Sequence, residues 1–166
     1  MRQKPTGHRM RAVYIVFAAV IAACATAENS PPDERDLTHA AASDVLTSTS
    51  WQLVRFEGGD GTVLTPDDGA KYTLDFEPEG RLAVRVDCNR GVGSWTSAGP
   101  SQLEFGPIGL TRAMCPPGSL HDRVVRDFEY VRTYVIGEGH LFLSLMADAG
   151  IYEYEPSAPD RVSSAT

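Results

Sequence analysis

No apolar run in the 166 residues is long enough to cross a bilayer. The longest, Ala12–Ala23, has twelve residues, where a helix needs about 20 to span the hydrocarbon core. Basic residues are also scarce: 15 Lys and Arg stand against 22 Asp and Glu, for a formal charge of −7. Four of the fifteen, Arg2, Lys4, Arg9 and Arg11, precede the apolar run. Without residues 1–23 the balance is eleven basic against 22 acidic groups, or −11. A body this acidic argues against nucleic-acid partners and against adhesion to anionic lipid through basic patches. Histidine is rare, with four in all. His8 lies in the basic leader and His39 precedes the domain, which leaves His121 and His140. Neither has HxxxH spacing and no cysteine pair has CxxC spacing, so no metal site is expected. No serine sits in a GxSxG elbow, and no glycine loop leads from a strand into a helix as phosphate cradling requires. Asp75, Glu77 and Glu104 are acids enough for an acid–base pair, but in so acidic a chain they read as solvated surface. No nucleophile, base and metal converge. The chain reads as non-enzymatic, with no cofactor implied.

What is present begins with the leader. Four basic residues, a short apolar run and then small residues form the pattern of an export signal. The run ends Ile21-Ala22-Ala23-Cys24, which resembles the lipobox of bacterial lipoproteins. The resemblance implies cleavage before Cys24, acylation of its sulfur, and attachment to a membrane through that anchor; two or more acyl chains hold stably where one holds marginally. Ala25, not aspartate, follows the cysteine, and the resemblance then implies the outer membrane, facing the periplasm, if the organism has one. Cleavage after Ala23, Ala25 or Ala27 would instead give a soluble secreted protein. Residues 24–48 are then a lipidated N-terminus and a tether rich in Ala, Ser, Thr, Asp, Glu and Pro. With no sustained apolar period they are expected to be flexible, apart from a brief turn at Asp44-Val45-Leu46.

The folded domain is expected over residues 49–156. Trp51–Phe56, Tyr72–Phe76 and Leu82–Val86 alternate as strands and are separated by glycine- and proline-containing turns. Opposed residues must share a face. The tightest register that leaves room for the turn pairs Phe76 with Leu82, Leu74 with Val84 and Tyr72 with Val86. It also sets Thr73 opposite Arg85 and a Lys71–Asp87 ion pair on the outer face. Gly91 and Gly93 suggest a tight turn after Cys88-Asn89, with a short strand resuming at Ser94-Trp95-Thr96. Further strands fall at Gln102–Phe105, Ile108–Thr111, Leu141–Leu145 and Ile151–Glu155. Ser119 with Asp122 resembles a capping box. Leu120, Val124, Phe128, Val131 and Val135 follow at helical spacing, predicting one amphipathic helix over residues 119–134 with Arg123, Arg126 and Asp127 on its polar side. Trp51, Trp95, Tyr130, Tyr152 and Tyr154 read as core packing rather than as a groove. Residues 157–166 read as a disordered tail.

The chain is organised around Asp87-Cys88-Asn89-Arg90-Gly91 and its answer, Thr111-Arg112-Ala113-Met114-Cys115. If the leader acts, the domain matures in an oxidising compartment and Cys88 and Cys115 are expected to join as a disulfide; two buried free thiols are the alternative. Asn89, Arg90, Trp95, Thr111 and Arg112 are the candidate binding residues. Asn89, Arg90 and Arg112 flank the cysteines and could bind an anion, but such groups more often satisfy turn backbone at a strand end.

Trp51-x-Leu53, Cys88-Asn89 before glycines, Thr111-x-x-Met114-Cys115, an amphipathic helix and a final Leu141-x-Leu143 hairpin together resemble the META/HslJ-like domain family. The resemblance covers residues 50–155. It implies an α+β, mainly β fold: a small antiparallel sheet rolled into a barrel-like form with one amphipathic helix packed on it. Family links to heat shock, novobiocin resistance and parasite virulence imply a stress- or resistance-related role without an established reaction or ligand. The function expected is that of an envelope lipoprotein with a structural or binding role. Alternatives are a periplasmic inhibitor or chaperone-like module that meets an envelope protein, and a binder of a small apolar ligand.

Overall fold

The computed structural model describes residues 34–157. The leader, Cys24, the first part of the expected tether and residues 158–166 lie outside the described residues. In chain order the elements are helix α1 (Glu34–Ser48) and strands β1 (Ser50–Gly58), β2 (Val63–Leu64), β3 (Tyr72–Glu77), β4 (Arg81–Val86), β5 (Asn89–Thr96), β6 (Glu104–Phe105) and β7 (Gly109–Leu110). Helix α2 (His121–Asp127) follows, then β8 (Val131–Gly137), β9 (His140–Leu145) and β10 (Gly150–Pro156).

All strand pairs are antiparallel, in the order β6-β5-β4-β3-β1-β10-β9-β8, with β2 added to β1 and β7 to β5. The two ends of this sheet nearly meet. A bridge joins Gln102 to Thr133, Leu103 N donates to Arg132 O at 3.0 Å, and Tyr134 N donates to Ser101 O at 2.8 Å. The result is a nearly closed, barrel-like sheet in an α+β, mainly β fold, as expected.

The interior follows from alternation. Tyr72, Leu74 and Phe76 face Val86, Val84 and Leu82 in the register that the sequence predicts, and Thr73 faces Arg85. The outer ion pair does not form: Lys71 Nζ reaches back to Asp67 at 2.6 Å, and Asp87 is buried in a left-handed turn with φ 55°. In β1 the pairing with β10 shifts between Leu53 and Arg55. This irregularity reverses the side-chain parity, so Trp51, Leu53 and Phe56 all point inward while Arg55 points out. Rings fill the interior: Phe76 meets Trp95 edge-on at 5.5 Å between centroids, and Phe105 meets Phe128 in the same way at 5.4 Å.

Two helical expectations need correction. The helix over 119–134 stops at Asp127; one 3-10 turn (Phe128–Tyr130) follows, and Val131 opens β8. A register shift between Val131 and Thr133 turns Val131 and Tyr134 inward. That spacing of three imitates a helical stripe, while the β-branched run Val131, Thr133, Val135, Ile136 favours a strand. The capping box closes only in part. Ser119 Oγ accepts from His121 N at 3.1 Å, but the Asp122 carboxylate bonds the His121 ring instead. Tyr72 OH, accepting from Leu120 N at 2.8 Å, docks the helix start onto β3.

The second correction concerns the tether, whose residues 34–48 are helical. Its alanine-rich sequence favours a helix, and the fully buried side chain of Leu46 fastens its end. Trp51 Nε1 donates to the Leu46 carbonyl at 3.2 Å, satisfying one of the acceptors a helix end leaves open. At the other end of the domain Ser157 is held by Ser50, its backbone N–H donating to the Ser50 carbonyl at 2.8 Å.

Candidate functional site

The β4–β5 hairpin turns at Asp87-Cys88, so Asn89 already lies in β5, opposite Val86. The glycines expected to make the turn lie inside the strand. A Cβ on Gly91 would run into the Gly109 carbonyl oxygen, and one on Gly93 would come within 2.9 Å of the Pro107 carbonyl oxygen. Their small size lets the chain around β7 lie close against β5. Cys88 and Cys115 are joined as a disulfide.

Beside the disulfide, Asn89 is fully buried. Its Nδ2 donates to Ala113 O at 3.0 Å and lies 3.4 Å from both cysteine sulfurs. Its Oδ1 accepts from Ala113 N at 2.7 Å and from the Thr111 hydroxyl at 2.9 Å. The Thr111 oxygen in turn accepts from Arg90 N at 3.1 Å. Asn89 and Thr111 thus form a latch that satisfies the backbone of the 111–115 segment. Trp95 is also committed inward, its Nε1 donating to Glu77 O at 3.1 Å. Of the five candidate binding residues Arg90, Thr111 and Arg112 are exposed, and the Thr111 hydroxyl is taken up by the latch, which leaves the two arginines. Thr111→Val keeps the shape and removes both hydroxyl bonds, one to a buried acceptor. It is expected to cost about 1–2 kcal/mol, measured by chemical denaturation of the oxidised protein.

Arg90 belongs to a larger feature that sequence reasoning missed. The outer face of β1, β3, β4, β5 and β7 encloses an open cleft of about 1410 Å³. On its floor Thr73, Arg85 and Arg90 follow one another as direct cross-strand partners. The Arg85 guanidinium donates to two carbonyls, Ala70 O at 3.2 Å and Asp87 O at 3.3 Å. Among the described residues neither Arg85 nor Arg90 is in an ion pair. Asp75 also lines the cleft, opposite Ala83. Glu77 pairs with Arg81 at 3.5 Å and Glu104 is exposed on β6, so the three acids do not share a site.

A second cluster was not foreseen. Asp127, expected on the solvated side of the helix, is buried, its side chain only 7% exposed. It accepts from Tyr152 OH at 2.8 Å and from Arg123 Nε at 2.5 Å. The Arg123 guanidinium carbon stands 4.4 Å from the Phe56 ring centroid. The i,i+4 spacing of Arg123 and Asp127 was the only signal for the pair. Tyr152 and Asp127 link α2 to β10, which makes this a structural joint. His121 bonds Asp122 and His140 bonds Glu153 at 2.8 Å, on separate elements. Among the described residues no group of three or more His, Cys, Asp or Glu is placed to hold a metal ion.

Solved structures share the architecture. A protein from Burkholderia xenovorans, determined by NMR, matches with a TM-score of 0.60 and 23% identity, over 80% of this chain and 95% of that one. A crystal structure of a DUF4847-family protein from Bacteroides vulgatus matches with a TM-score of 0.53 and 13% identity, over 72% of this chain and 99% of that one. At such identities the likeness is one of fold. No curated protein matches the sequence. The model of the META domain matches residues 44–154, a span that runs from the end of α1 to the last strand and takes in the latch, the disulfide and the cleft. The chain belongs to the META domain family.

Proposed function

We propose that this protein is a lipid-anchored component of the bacterial cell envelope, non-enzymatic, that binds its partner on the outer cleft of its META domain in a stress- or resistance-related role. The observation that carries the reading is the Cys88–Cys115 disulfide, a cross-link that persists in exported proteins and is rare in reducing cytosol. It agrees with the basic leader and the lipobox-like Ile21–Cys24. Binding without chemistry is supported by the state of the polar groups. The side-chain polar atoms of Asn89 and Thr111 are taken up by one another and by the backbone of Ala113 and Arg90, while Arg85 and Arg90 bring charge to the cleft. Arginine stays protonated and recognises anions without exchanging protons. The ring-filled interior favours this outer face over a ligand held inside the barrel.

The test is metabolic labelling of the full chain with a fatty-acid analogue in a bacterial host, beside Cys24→Ser. Label and membrane association are expected for the natural sequence, and both are expected to be lost in the variant. An unlabelled, uncleaved chain in the cytosol with both thiols reduced would overturn the reading.

A further inference from the structure

Arg85 and Arg90 are directly opposed on neighbouring strands, on the face that lines the cleft. Like charges in that position repel one another, and the protein has acid to spare, with 22 acidic residues against 15 basic. Yet among the described residues no carboxylate comes within ion-pair distance of either. The Arg85 guanidinium is held by the carbonyls of Ala70 and Asp87, which fix its orientation and, among the described residues, leave its charge uncompensated. The Arg90 side chain takes no hydrogen-bond partner among the described residues; only its backbone is used, by Thr111. Next in the same row, Thr73 adds a hydroxyl.

We propose that this row, Thr73–Arg85–Arg90, binds a phosphate monoester, taking the anion between the two guanidiniums. The proposal rests on the outer cleft being the binding face and names its ligand class. A phosphate monoester carries close to two negative charges and three acceptor oxygens, so it balances both arginines at once and meets their donors bidentately. A single carboxylate would leave one arginine unpaired. Asp75 lies on the adjacent row, opposite Ala83. It repels a second anionic group there, so the body attached to the phosphate is neutral, as in a sugar phosphate or phosphatidic acid. The same headgroup chemistry is offered by a soluble molecule and by a lipid, and the two arms of the test separate them.

The full chain, in detergent micelles at low ionic strength, is titrated with glucose 1-phosphate by calorimetry, and separately sedimented with phosphatidylcholine vesicles with and without phosphatidic acid. Saturable 1:1 binding in the first arm identifies a soluble ligand, and phosphatidic-acid-dependent sedimentation identifies a lipid-borne one. Arg90→Gln is expected to weaken whichever binding occurs at least tenfold, and Arg132→Gln, an exposed arginine on β8 outside the cleft, to leave it unchanged. Since Arg85→Gln also loses two carbonyl bonds, Arg90→Gln is the deciding variant, and its melting temperature is recorded to show that it folds. Binding in neither arm, or equal loss in Arg90→Gln and Arg132→Gln, would overturn the proposal. Acylation at Cys24 is read independently. A labelled, membrane-bound chain that ignores phosphate sinks the ligand class alone, whereas an unlabelled chain sinks the anchoring and leaves phosphate binding to be judged on its own result.

Discussion

Replacing both Cys88 and Cys115 by alanine is expected to destabilise the domain by about 3.5 kcal/mol, from the chain entropy that a loop of this length regains on unfolding. The bond joins residues 27 positions apart and encloses β5, β6 and β7. For a folded part of this size that loss lowers the melting temperature by roughly 10–20 °C. The folded state itself should change little. Asn89 bonds Ala113 in both directions and Thr111 bonds Asn89, so the 111–115 segment keeps its attachment when the sulfurs are gone. Since Cys88 is exposed, a reductant added to the oxidised protein should reproduce the shift without mutation. The measurement is thermal unfolding of oxidised, reduced and doubly substituted protein. Equal melting temperatures would show that the cross-link adds nothing the latch does not supply.

The same latch shows how much of the site could be read beforehand. The two cysteines were legible because a domain that follows an export-like leader and carries two thiols in well-defined turns has an obvious use for them. The β3–β4 register was legible because both strands alternate strictly and their turn is short. Asn89 was legible as a group that satisfies turn backbone, the role it has with Ala113, but nothing in a sequence says that such an amide is fully buried, as this one is. The cleft failed to emerge for a single reason. Gly91 and Gly93 suggested that the chain reversed there, which put Arg90 in a turn. With the reversal at Asp87-Cys88, Arg90 becomes the partner of Arg85. A turn displaced by a few residues therefore hid the pairing.

The helical errors have a related origin. Periodicity assumes an unbroken strand, and β8 is bulged, so its inward residues repeat at three rather than two. The bulge in β1 did less harm, because Trp51 and Leu53 had already declared a strand before the parity changed. Helix α1 was missed for the opposite reason. Its amphipathic signal is weak, and its attachment depends on Leu46 and on the Trp51 indole, a residue outside the helix. In both cases tertiary contacts decided what local pattern could not.

Alkaline pH is expected to unfold the protein steeply, through two tyrosines. Burial pushes the phenol of Tyr154 far above its ordinary value, and burial, followed by the hydrogen bond to Asp127, does the same for Tyr152. In the unfolded chain both ionise near pH 10. Above that pH the folded state holds two protons that the unfolded state has released. The stabilising contribution is therefore complete below about pH 10 and is lost as pH rises beyond it. Each tyrosine contributes a slope of about 1.4 kcal/mol per pH unit, and the pair about 2.7. Over two units that approaches the whole stability of a small domain, so cooperative unfolding should fall at roughly pH 11–12. Denaturation midpoints across the alkaline range, with phenolate absorbance followed alongside, provide the check. Tyr154→Phe should halve the slope. Tyr152→Phe should halve it too and, by removing the hydroxyl that Asp127 accepts at 2.8 Å, also lower stability at neutral pH by about 1.5–3 kcal/mol. A flat stability between pH 9 and 11 with both tyrosines present would mean that the α2–β10 joint opens readily enough for water to reach them.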